Sequence, residues 1–191
     1  MTMTSDTLPD ATRWIRLLRS LAWGGAAALL LLPWVAMQFT ADVVWTAFDF
    51  ALFGAMLLTA CLAFEALARV ARVPAYLAAS VIAIGAAFLL VWANLAVGIV
   101  GEPEDPANLL FMGVLVMGGV GALLVRLQPR GMACILATMA LAQMVVGAIA
   151  LLMQAHESAV SVLAVTGLCT AIWLLSSALF RKAARSPIGA P

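Results

Sequence analysis

Apolar residues fall in six long, uninterrupted runs separated by short polar stretches: Leu18–Gln38, Val44–Leu67, Tyr76–Val100, Leu109–Arg126, Met132–Met153 and Val160–Phe180. Each run is within the roughly 17–25 residues that carry a helix across a ~30 Å hydrocarbon core. No run alternates between apolar and polar positions, as strands of a membrane barrel would. In lipid every backbone amide must be satisfied within its own segment, so such runs are expected to be helices. The pattern predicts an all-α protein, a six-helix transmembrane bundle spanning residues 13–182, without a soluble domain. The flanks, residues 1–12 and 183–191, are polar or contain Pro and Gly, and are expected to be mobile tails. The first run follows basic residues, as a secretion signal would. Its length, and Pro33-Trp34 in place of a small-residue cleavage site, point instead to a retained helix.

Composition agrees with the pattern. Of 191 residues, 65% are apolar and 10% charged, and the mean hydropathy is +1.12. A water-soluble domain is about half apolar and a quarter charged. Soluble enzymes and disordered regulators are therefore excluded, and a net charge of +1 offers no basic surface for nucleic acid.

The distribution of charge also predicts an orientation. Arg13, Arg16 and Arg19 precede the first run, and Arg69 and Arg72 separate the second from the third. Arg126 and Arg130 separate the fourth from the fifth, and Arg181, Lys182 and Arg185 follow the sixth. All ten basic residues thus fall on one side of the predicted bundle. The positive-inside rule makes that side cytoplasmic, with both termini inside. The opposite side carries Asp42, Glu102, Glu104, Asp105 and Glu157, with Asp49 just within the second run.

Polar groups inside a bilayer are costly and are the first place to look for function. With its span starting at Val44, Asp49 lies about one and a half turns into the membrane at 3.6 residues per turn. Such a carboxyl must be protonated, hydrated or hydrogen-bonded. Folding the second and third runs back about Arg69–Pro74 sets Asn94 level with Asp49, with Trp45 and Trp92 at a depth suited to an aromatic belt. Asp49, Asn94, Trp45 and Trp92 form the candidate intramembrane site, either a proton or cation site or a structural hydrogen bond. Glu65 is expected to pair with Arg69 one turn on. Gln143, in the middle of the fifth run, is expected to bond a neighbouring helix.

The loop Gly101–Asn108 holds Glu102, Glu104, Asp105 and Asn108, oxygen ligands suited to a hard cation. The same residues also have a structural reading, with Asp105 as a helix N-cap, Pro106 as the first helical residue and Asn108 reaching back. Any metal here is left open, and no cofactor is expected. His156 is the only histidine, too few for a bis-His haem or a zinc site. Cys61, Cys134 and Cys169 lie inside runs and read as apolar filler. No nucleophile triad, HExxH or P-loop is present, so an enzyme is not expected. Gly113, Gly118, Gly119 and Gly121 mark a close helix approach in the fourth run. These glycines read first as tight packing within the bundle, and in the alternative Gly113, Gly118 and Gly121 form a face for a partner membrane protein or a second copy.

The segment Trp92-Ala-Asn94-Leu-Ala-Val-Gly98-Ile-Val-Gly101-Glu-Pro-Glu-Asp105-Pro-Ala-Asn108 and the turn Arg126-Leu-Gln-Pro-Arg130-Gly-Met132 resemble a family of small, uncharacterised bacterial inner-membrane proteins. Positions 92–132 carry the likeness, with Glu102-Pro103-Glu104 standing where the family has a Ser-Glu-Asp-Asn-like run. The resemblance implies a bacterial inner membrane and no particular activity. Two functions follow as expectations. One is a non-enzymatic accessory or scaffolding subunit of a membrane complex, with the lipid bilayer and a membrane protein as partners. The other is a small proton- or cation-linked transporter or channel using Asp49 and Asn94.

Overall fold

A computed structural model of the protein describes residues 8–96, 98–100, 105–153 and 159–186, with the backbone alone for 8–14. Six helices and no strand occur among the described residues: α1 Leu8–Ala36, α2 Ala47–Val70, α3 Pro74–Ala96, α4 Asn108–Leu124, α5 Pro129–Met153 and α6 Ala159–Arg185. Five of them, all but α4, are long and apolar enough to cross a membrane. With 17 residues, α4 is just as apolar but shorter, about 25 Å at 1.5 Å per residue. The protein is therefore helical and largely apolar, as a multi-pass membrane protein is.

The helix ends depart from the predicted runs for local reasons. Helix α1 starts at Leu8, within the segment expected to be a tail, and α6 runs on to Arg185. The α6 extension carries Arg181, Lys182 and Arg185 beyond the apolar stretch. Helix α2 begins at Ala47, three residues after the predicted start, because Thr46 caps it. Prolines begin α3 and α5, at Pro74 and Pro129; a first-turn N–H has no helical partner to lose, and proline's fixed φ suits that position.

The chain divides into two compact units, residues 1–68 and 69–191. In the first, α1 and α2 run antiparallel. Arg19 pairs with Glu65 (Nε to Oε2, 3.0 Å), and the Cys61 thiol lies 3.7 Å from the Ala22 carbonyl. Leu30 lies beside Gly54, where an added Cβ would meet it at 3.8 Å. Glu65 thus has a partner on α1.

In the second unit α6 is the organising helix, packed against both α3 and α5. Adjacent serines make the connection. The Ser176 hydroxyl donates to the Ala79 carbonyl of α3 at 2.8 Å, and the Ser177 hydroxyl donates to the Ala133 carbonyl of α5 at 2.7 Å. Trp173 and Phe180, one turn to either side, are buried. Tyr76 sets its ring edge-on to Phe180, at 4.9 Å and 86°. Its hydroxyl donates to the Leu127 carbonyl at 2.6 Å. That carbonyl belongs to an α4–α5 turn in which Arg126 and Leu127 both have positive φ, 51° and 57°, a region non-glycine residues enter at a cost.

Glycines govern how closely the helices approach. A side chain at Gly118 would collide with Met139, one at Gly121 with Ile135, and one at Gly147 with Thr166. Tight packing within the bundle, the first reading of the α4 glycines, therefore holds at Gly118 and Gly121. Gly118 and Gly121 are spent on α5 of the same chain, and of the alternative partner face only Gly113 has open space.

Candidate functional site

Asp49 is the third residue of α2, and its surroundings follow from the sequence Thr46-Ala-Phe-Asp49. The first turn of a helix has amide N–H groups with no helical partner. Here Thr46 and Asp49 satisfy them reciprocally, in the manner of a capping box. The Asp49 amide donates to Thr46 Oγ1 at 3.3 Å, while Asp49 Oδ2 accepts from the Thr46 amide at 2.7 Å and from its hydroxyl at 2.8 Å. The negative charge also suits the positive end of the helix dipole. Trp45 lies edge-on to Phe50 and Phe53, at 5.3 and 5.4 Å, and closes the apolar side of this cap.

Asn94 is buried near the end of α3 and has a different partner, its Nδ2 donating to the Asn108 carbonyl at 3.0 Å. Asn108, 2% exposed, is the hub of the α3–α4 connection. Its Oδ1 accepts from the amides of Ile99 and Val100, both at 3.0 Å, and its Nδ2 donates to the Val100 carbonyl at 3.2 Å. One side chain thus satisfies three buried backbone groups. Gly98, with φ 77°, supplies the left-handed residue that lets the chain leave α3; its amide donates to the Ala93 carbonyl at 3.1 Å.

Asp105 does not cap α4 directly. Its Oδ1 accepts from the Ala107 amide at 2.8 Å, and its carbonyl from the Asn108 amide at 2.9 Å. Ala107 stands at the N-cap without a side-chain bond. Pro106 consequently lies in the turn before the helix, and the Asn108 side chain reaches back to residues 99–100. Glu102 and Glu104 of the predicted cation loop lie outside the described residues, as do His156 and Glu157. Among the described residues, no three His, Cys, Asp or Glu side chains gather as metal ligands. Trp92 is on the exposed surface of α3.

A second polar level sits deeper, between α5 and α6. Gln143 is fully buried. Its amide nitrogen and oxygen have no hydrogen-bond partner among the described residues, nor have Thr166 Oγ1, Thr170 Oγ1 and Trp173 Nε1. Gly147 faces Thr166, and one turn along each antiparallel helix places Gln143 level with Thr170. The expected bond from Gln143 to a neighbouring helix is not formed among these residues. Sequence reasoning passed over Thr166, Thr170, Ser176 and Ser177. Hydroxyls at 166, 170 and 177, spaced four and then seven along an otherwise apolar helix and so on one face of it, were the available signal.

No family model matches the chain, and comparison with curated proteins and with solved structures finds no match. The likeness noted for positions 92–132 therefore rests on those residues alone.

Proposed function

We propose that the protein is a non-enzymatic accessory or scaffolding subunit of a complex in a bacterial inner membrane, with both termini in the cytoplasm. The supporting observation is that the polar side chains best placed for chemistry are occupied by backbone. Asp49 is engaged by Thr46, the Asn94 amide by the Asn108 carbonyl, and the Asn108 side chain by residues 99–100. Groups held this way shape helix ends, and a transport site needs groups that can exchange partners. Gentle extraction from the native membrane followed by native mass spectrometry tests the reading. A second polypeptide in fixed ratio is expected, and a monomer or pure homo-oligomer would overturn it.

One observation favours a second reading, a small proton- or cation-linked transporter. The unpartnered polar level of Gln143, Thr166, Thr170 and Trp173 is the kind of feature that lines a transport path. Leaving such groups unpaired in a low-dielectric interior costs roughly 1–3 kcal/mol each. Gln143→Leu separates the two. A scaffold keeps its assembly and becomes no less stable, whereas a transporter routed through this level loses flux.

A further inference from the structure

Five arginines collect at one end of the 69–191 unit around two neighbouring clefts. The first, of about 390 Å³, is lined by Arg72, Arg126 and Arg130 over a floor that includes Tyr76 and Ala183. The second, of about 540 Å³, is lined by Arg130, Arg181 and Arg185 over Ala133 and Cys134. Arg130 belongs to both. Neither lining contains a carboxylate. Among the described residues, none of these five arginines has an ion-pair partner.

The helices add to this imbalance. Helices α3 and α5 both begin here, at Pro74 and Pro129, and neither has an acidic residue in its first turn. A helix N-terminus carries roughly half a positive charge, so Arg72 and Arg130 are added where the potential is already positive. Arg185 differs, because in the last turn of α6 it complements that helix's dipole. The arrangement around Arg130 is self-repelling unless an anion joins it. Guanidinium groups hold phosphate through paired, charge-assisted hydrogen bonds, and both volumes are in the range of small-ligand sites, about 300–1,000 Å³.

We propose that the two clefts form a binding site for the phosphate of an anionic phospholipid, with Arg130 shared between them. The position favours a lipid over a soluble anion. The clefts open at the ends of membrane-length helices, where headgroups lie. The last residues of α4, Leu123 and Leu124, are 74% and 77% exposed immediately before the turn that carries Arg126. Acyl chains can cover them while the phosphate meets the arginines. Basic pockets between transmembrane helices bind anionic headgroups in this way.

The test is native mass spectrometry of delipidated protein offered phosphatidylglycerol or phosphatidylcholine. Phosphatidylglycerol should be retained at least about tenfold better, and each of Arg126→Gln and Arg130→Gln should reduce that preference roughly five-fold. Equal retention of the two lipids overturns the proposal, as does a preference undiminished in the double variant. Displacement of phosphatidylglycerol by millimolar inorganic phosphate also overturns it, by making the site one for a soluble anion. Should the variants fail to fold, the unaltered chain carries its own reporter. Cys134 is exposed in the second cleft, whereas Cys61 and Cys169 are buried. Its maleimide labelling in detergent should slow when phosphatidylglycerol is added and not when phosphatidylcholine is. An unchanged rate overturns the assignment.

Discussion

Asp49 shows how three residues of helix boundary alter the meaning of a side chain. Placed one and a half turns inside a span, it is an unpaired intramembrane carboxylate. Placed third in a helix that starts at Ala47, it is half of a cap with Thr46. The signal was present in the order Thr46-x-x-Asp49, but hydropathy alone sets a span to begin with Val44-Trp45 and hides it. If the cap is the whole of its role, Asp49→Asn keeps an acceptor and costs little, whereas Thr46→Ala costs about 1 kcal/mol. Thermal melts in mild detergent would separate the two. Asn108 should be far more sensitive. Asn108→Ala strands two buried amides and one carbonyl, and at about 1–3 kcal/mol for each stranded group the loss should be at least 3 kcal/mol. A melt close to that of the unaltered protein would show the α3–α4 connection to be held by something else.

At the scale of elements, the hydropathy pattern revealed the number of helices and their approximate extents, because lipid permits nothing else for such long apolar runs. It did not reveal which helix organises the others. Ser176 and Ser177 are weak signals in a sequence, since serine in a membrane helix often bonds its own preceding turn. Only the packing shows one reaching α3 and the other α5. Ser176→Ala and Ser177→Ala should each destabilise by about 0.6 kcal/mol, the mean for bonds between membrane helices. Gly147→Leu, which forces α5 away from Thr166, should cost more, about 1–3 kcal/mol. Reversible unfolding in bicelles measures all three, and a harmless Gly147→Leu would mean that α5 and α6 are not packed as described.

For the molecule as a whole, thiol accessibility provides a direct test. A low-concentration maleimide pulse on folded protein should modify Cys134 and spare Cys61 and Cys169, with peptide mass mapping as the readout. Burial leaves the latter two without access for the reagent. Labelling of Cys169 at a comparable rate would contradict the packing of α6 into the core. The functional site was less legible than the fold. The Asp49 carboxylate and the Asn94 amide could be placed by depth, but their bonds depend on caps and turns that apolar periodicity does not encode. The polar level at Gln143 depends on helix rotation, which a uniformly apolar sequence leaves unspecified.

The position of α6 in the chain has a consequence for biosynthesis. The helix that joins α3 to α5 leaves the ribosome after both of them. Within this unit α4 is the helix that contacts both α3 and α5 before α6 inserts, and until then the acceptors at Ala79 and Ala133 await their serines. Assembly of this unit must therefore be largely post-insertional, with a long interval in which a nascent chain is threaded but unpacked. A chain truncated before Ala159 should enter the membrane and then turn over rapidly, which makes α6 the helix by which quality control can distinguish packed molecules from unpacked ones.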